Sequence, residues 1–168
     1  MKNRWPLPLV LLHWLTPMLL VALVAVGVTM VELPADDALR RGLGRAHAVL
    51  GLLVGGLTFA RLLLRRLTSA PTPLVLPPAQ RRLASLVQAL IYVTLFGLGA
   101  SGVGTALGSD WHAFVQGELP SAPALGHLLS RQVHEGLVVA LLVLAAVHGV
   151  GVGLEQVKRG GVVKRMLP

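Results

Sequence analysis

Two histidines, His134 and His148, stand fourteen positions apart in the otherwise apolar run near the end of the chain. On a helix that turns about 100° per residue they fall within roughly 40° of one face. A rise of about 1.5 Å per residue separates them by roughly 21 Å, most of the way across a hydrocarbon layer of about 30 Å. One helix therefore presents an imidazole near each membrane surface, both on the same side. A polar ring inside a span is costly without a partner, so the pattern requires matching groups at two depths. His13 and His47 are placed to meet that need.

The elements that position these residues are four predicted spans, at about 7–31, 46–64, 83–107 and 133–154. The chain has 168 residues, 54% of them hydrophobic and only 13% charged. Soluble domains carry about a quarter charged residues, so the composition points to a membrane protein with short loops. The basic N-terminal start followed by an apolar run superficially resembles a signal peptide, but the run is too long and holds His13; it reads as a retained first span. Pro17 is expected to kink it, or to sit where a neighbouring helix satisfies the freed carbonyl. Four prolines between Thr68 and Pro78 make an extended connector, and Gly108–Ser130 is the longest loop.

Orientation follows from charge. Lys2, Arg4, Arg61, Arg65, Arg66, Arg81, Arg82, Lys158, Arg159, Lys164 and Arg165 account for eleven of the fifteen Lys and Arg and flank one side of the spans. The other side carries Arg40, Arg41, Arg45 and Arg131, with six of the seven acids. The positive-inside rule makes both termini cytoplasmic. Topology thus explains the net charge of +8 better than a nucleic-acid partner does. With that orientation His13 and His148 both lie about 8 Å from the inner surface, while His47 and His134 share the outer level.

The chain has no cysteine, which excludes disulfides, thiolate metal sites, iron–sulfur clusters and covalently attached c-type haem. Three readings of four depth-matched histidines remain. They could be satisfied by backbone carbonyls, or form a zinc or copper transport site, although such sites recruit carboxylates or sulfur and only Glu135 and Glu155 lie at span ends. Alternatively, two imidazoles facing across a bundle core suit the axial positions of a six-coordinate haem iron, which favours electron transfer over oxygen binding.

Several stretches also resemble a known family. His13-Trp14, His47 followed by Gly51, Arg61-Leu-Leu-Leu-Arg65, the proline-rich connector, His134-Glu135, His148 and the closing Arg165-Met-Leu-Pro168 together look like the bacterial di-haem cytochrome b561 family, of the four-helix, quinone-linked type. The resemblance covers nearly all of residues 1–168 and implies a single integral membrane cytochrome b domain. The implied fold is all-α, a transmembrane up-down four-helix bundle holding two non-covalent b haems. His13 and His148 would ligate the inner haem, and His47 and His134 the outer one. The implied setting is the bacterial inner membrane, with lipid around the bundle and ubiquinone as the substrate. The function would be quinone-linked electron transfer, with superoxide oxidation at the outer face, or service as an electron carrier to a partner dehydrogenase. Catalytic residues are not identified by it.

Other residues carry weaker expectations. Gly51, one turn after His47 on the same face, either clears space for a porphyrin or packs a helix. Arg45 and Arg131, near the outer histidines, would pair with haem propionates or with lipid headgroups. Arg61 and Arg65 are expected to be interfacial anchors rather than cofactor contacts, and Trp111 and Phe114, on a short surface helix, interface anchors rather than redox relays. His112 and His127 read as solvated loop residues, with an outer quinone proton acceptor as the alternative.

Overall fold

Proline, glycine and aspartate set the ends of the helices. The computed structural model describes residues 4–167. Helix α1 spans Leu7–Glu32, directly after Pro6 and with Pro8 in its first turn, where a missing N–H costs nothing. It continues through Pro17, which can donate no hydrogen bond to the carbonyl of His13 four residues back. Helix α2 spans Ala38–Leu67 and is capped by Asp37, whose carboxylate accepts from the Leu39 amide at 2.7 Å. It therefore starts well ahead of the apolar run at 46, because capping carries the helix out through Arg40 and Arg41. The proline connector is extended, and α3 spans Pro78–Leu107 with proline again at its start.

A six-residue helix, α4, covers Trp111–Gln116 and ends at Gly117, whose φ of +91° is open to glycine at little cost. Helix α5 spans Leu129–Arg159, and a 3₁₀-helix covers Val163–Met166. Among the described residues there is no strand. The protein is all-α, and its four long apolar helices (α1, α2, α3 and α5) make it a multi-pass membrane protein with the form of a four-helix transmembrane bundle.

The bundle consists of two hairpins. Helix α1 packs closely along α2 and α3 along α5, while α2 and α3 touch far less. The hairpins meet through a small apolar cluster with one buried residue from each long helix: Leu23, Val54, Leu95 and Leu141. Outside it, the helices leave large side chains uncovered, such as Met18 at 68% and Val21 at 72% exposure. That much apolar surface is stable only against lipid tails, which are its natural covering.

Candidate haem-binding site

Leu141 lies seven residues after His134 and seven before His148, so the Leu23–Val54–Leu95–Leu141 cluster separates two levels between the hairpins. On one side of it the rings of His13 and His148 face each other, centroids 6.4 Å apart and planes at 74°. On the other side His47 and His134 do the same at 6.2 Å and 64°. Each pair joins one hairpin to the other, α1 to α5 and α2 to α5. The rings pair as their depths in the chain predict.

These separations distinguish between the chemical readings. Two imidazoles hydrogen-bonded to each other would bring their centroids to roughly 5 Å, given an N···N distance near 3 Å. An iron between them, about 2 Å from each nitrogen, sets the centroids roughly 6 Å apart. Both pairs fit a metal-sized gap. Among the described residues no group of three or more His, Asp or Glu could hold a metal ion by itself. Two protein ligands per level suit a metal whose remaining positions are filled by a macrocycle.

The four rings differ in their supports. His134 Nδ1 lies 3.1 Å from the Leu98 carbonyl and 3.1 Å from the Ser101 hydroxyl. A carbonyl only accepts, so Nδ1 carries the proton and Nε2 keeps its lone pair (the tautomer is assigned from this partner). His47 Nδ1 is buried without a well-formed hydrogen bond, although the Leu23 backbone approaches the ring. Gly27 of α1 makes room for it: a Cβ there would come within 3.2 Å of His47 Cε1. Among the described residues His148 makes no hydrogen bond. Among the described residues, the bland account, in which each histidine is fully satisfied by the protein, is thus weakest at His47.

At the inner level His13 Nδ1 accepts a hydrogen bond from Arg61 at 3.0 Å, and the same guanidinium lies over the Tyr92 ring, 5.7 Å from its centre. Among the described residues no carboxylate pairs with Arg61. The expectation of an interfacial anchor is corrected here: Arg61 turns inward, because His13 and Tyr92 offer it partners inside the bundle. Arg65, by contrast, lies over the Trp5 ring at 5.1 Å.

The end of the bundle nearer His47 and His134 is closed by a cap. Phe114 of α4 is fully buried and Arg41 stacks over it at 5.1 Å while donating to the Leu119 carbonyl at 3.0 Å. Trp111 fills the notch at Gly44, where a Cβ would approach the indole to 2.8 Å. Arg45 donates to the Val115 carbonyl, and the Ala122 amide donates to Ala35 at 2.7 Å. Phe114 is thus a core residue of the cap rather than a membrane-surface anchor; only the short helix itself matches expectation. Arg131 pairs with Glu135 at 2.7 Å. His112 is exposed and bonded to Gln116 at 2.8 Å, and His127 is exposed. A Cβ on Gly51 would meet nothing within 4 Å, so open space lies beside it instead of a packed helix.

Sequence reasoning missed Gly27 and misread Arg61, yet a signal for both existed. Gly27 follows His13 by fourteen residues and Arg61 follows His47 by fourteen, the spacing that also joins His134 to His148. Fourteen residues is nearly four helical turns, so each helix shows both levels the same side.

The chain matches the family described as prokaryotic cytochrome b561 over residues 4–168. No curated protein matches it. The chain belongs to the prokaryotic cytochrome b561 family and is a transmembrane b-type haem electron-transfer protein.

Proposed function

We propose that this member of the cytochrome b561 family carries two b haems, one at each level of the bundle, and links the outer side of the bacterial inner membrane to the quinone pool. His13 and His148 would hold the inner haem and His47 and His134 the outer one, with both termini in the cytoplasm. The observation that supports this most is the pair of imidazole gaps, 6.4 and 6.2 Å, spanned from a single helix by residues fourteen apart. When bound, each haem supplies a one-electron couple with both axial positions closed. The residues around them orient and enclose. Leu98 and Ser101 hold His134 in the tautomer that offers Nε2, and Gly27 and Gly51 leave space beside His47. The Leu23–Val54–Leu95–Leu141 cluster keeps the two levels apart and dry. Arg45 remains a candidate propionate partner through the guanidinium nitrogens not turned to Val115.

The resemblance implies ubiquinone as acceptor and superoxide as donor, with two superoxide anions oxidised to dioxygen for each ubiquinone that takes two electrons and two protons. A second reading, an electron-carrying subunit for a partner dehydrogenase, is favoured by the outer arginines. The outer side carries four arginines against six acids, and Arg131 is paired with Glu135 at 2.7 Å, so the net charge there does not draw an anion in. The purified protein, given superoxide and a soluble ubiquinone analogue, distinguishes them. Quinone reduction by the isolated chain supports the oxidase; a reducible cytochrome without turnover supports the carrier.

A further inference from the structure

Gln88 is an exposed amide inside the α3 span. Among the described residues it makes no hydrogen bond, a costly state within hydrocarbon. The turn of α3 shows which way it faces. Leu95, seven residues on and within about 20° of the same side, is buried between the hairpins with Leu23, Val54 and Leu141. Tyr92, one turn on from Gln88, lies under the Arg61 guanidinium of α2. Gln88 therefore faces the other hairpin, and its exposure marks open space between the two.

Its level follows from spacing. Gln88 precedes Gly102 by fourteen residues, and a Cβ on Gly102 would stand 3.5 Å from His134 Cε1. The same interval separates His13 from Gly27, His47 from Arg61 and His134 from His148. Each long helix thus contributes one residue to each level. Where His47 and His134 face each other, the two hairpins repeat one another. Gly27 backs one ring and Gly102 the other, and four residues before each glycine Leu23 and Leu98 turn their backbones to the same rings. At the level of His13 and His148 the repeat is broken. The counterpart of His13 is Gln88, and the counterpart of His148 is Arg61.

The two imidazoles there face each other at 6.4 Å, so Arg61 and Gln88 are what α2 and α3 bring to that level. One bond to His13 leaves the guanidinium with donors to spare, and among the described residues no carboxylate pairs with it. An unpaired cation and an unpaired amide donor at one depth suit a carboxylate. A b haem carries two of these, as propionates along one edge of its ring.

On the two-haem reading, we propose that the propionate edge of the haem held by His13 and His148 is turned toward α2 and α3, where Gln88 donates its amide N–H to a propionate and Arg61 pairs with the charge. Gln88 is then a binding residue for that haem, whereas a glutamine facing lipid would leave the haem indifferent to its replacement.

The detergent-purified wild type, Q88A, Q88E and Q88K, compared by haem content, redox titration and resonance Raman of the propionate bending band, test it. All four should hold two haems. One midpoint potential should fall in Q88E and rise in Q88K, each by at least about a threefold change in the oxidised-to-reduced ratio, while the other stays put. Q88A should shift the propionate band. In Q88K/H148A, which keeps only the other haem, the potential should equal that of H148A. If Q88E does not fold, Q88A and Q88K decide. Two haems with both potentials and the band unmoved overturn the assignment alone. Potentials that move while the band stays overturn the carboxylate contact. A wild type with fewer than two haems overturns the two-haem reading, and this assignment with it.

Discussion

The Arg61 guanidinium donates a hydrogen bond to Nδ1 of His13 across 3.0 Å, and this contact makes the two imidazole pairs unequal. A guanidinium has donors only, so it holds Nδ1 as an acceptor and leaves the proton on Nε2. His134 shows the opposite arrangement, with Nδ1–H on the Leu98 carbonyl and Nε2 free. His134 thus offers Nε2 as its free nitrogen, and would hold a metal there, whereas Nδ1 of His13 is held by Arg61. An unpaired guanidinium inside a membrane bundle also needs an anion, and a haem propionate is suitable.

Replacing Arg61 by Gln keeps an N–H able to donate to His13 Nδ1 and removes the charge. Haem content should be unchanged in R61Q. One of two midpoint potentials should fall by tens of millivolts, because a nearby cation favours the reduced haem and about 1 kcal/mol corresponds to roughly 40 mV for one electron. Redox titration followed at the haem bands reads this directly. Two unaltered potentials would show that Arg61 acts elsewhere.

Gly27 should matter to the outer level alone. A Cβ there presses His47 at 3.2 Å, so G27A is tolerated with a small relaxation while G27V displaces the ring. In G27V, haem per protein should drop from two to about one with the remaining haem spectrum that of the His13–His148 level. Full occupancy in folded G27V runs against this role.

The cap depends on Phe114, which is buried to 0% exposure between Arg41 and Trp111. Truncating a buried Phe to Ala removes about 3–5 kcal/mol of packing. Because α4 is only six residues long, that loss exceeds what its remaining contacts hold, and the loop should open locally. Limited proteolysis within residues 108–130 should accelerate at least tenfold in F114A, with haem at the inner level unaffected.

Much of this was legible because a membrane simplifies the code. Length and hydropathy mark the spans, and four histidines in apolar surroundings require partners at matching depth. The pairings of His13 with His148 and His47 with His134 follow from counting residues from each surface. What escaped depended on where side chains turn at the helix ends. Arg61 sits at a point where a long basic side chain can snorkel outward or fold inward, and only His13 and Tyr92 in space decide. Phe114 faced the same ambiguity, settled by Arg41 of α2, which lies over its ring. The hydrogen bond of Ser101 to His134 crosses between helices α3 and α5 and has no local signature in the sequence.

The measurement that tests the central claim most directly is pyridine haemochrome quantification, with a reduced-minus-oxidised spectrum, on the wild type and the four single His→Ala variants. The wild type should hold two low-spin b haems per chain. His13→Ala and His148→Ala should each leave one and the same haem, while His47→Ala and His134→Ala leave the other. Folded protein without haem, or His13 and His47 variants that lose the same haem, would contradict the account.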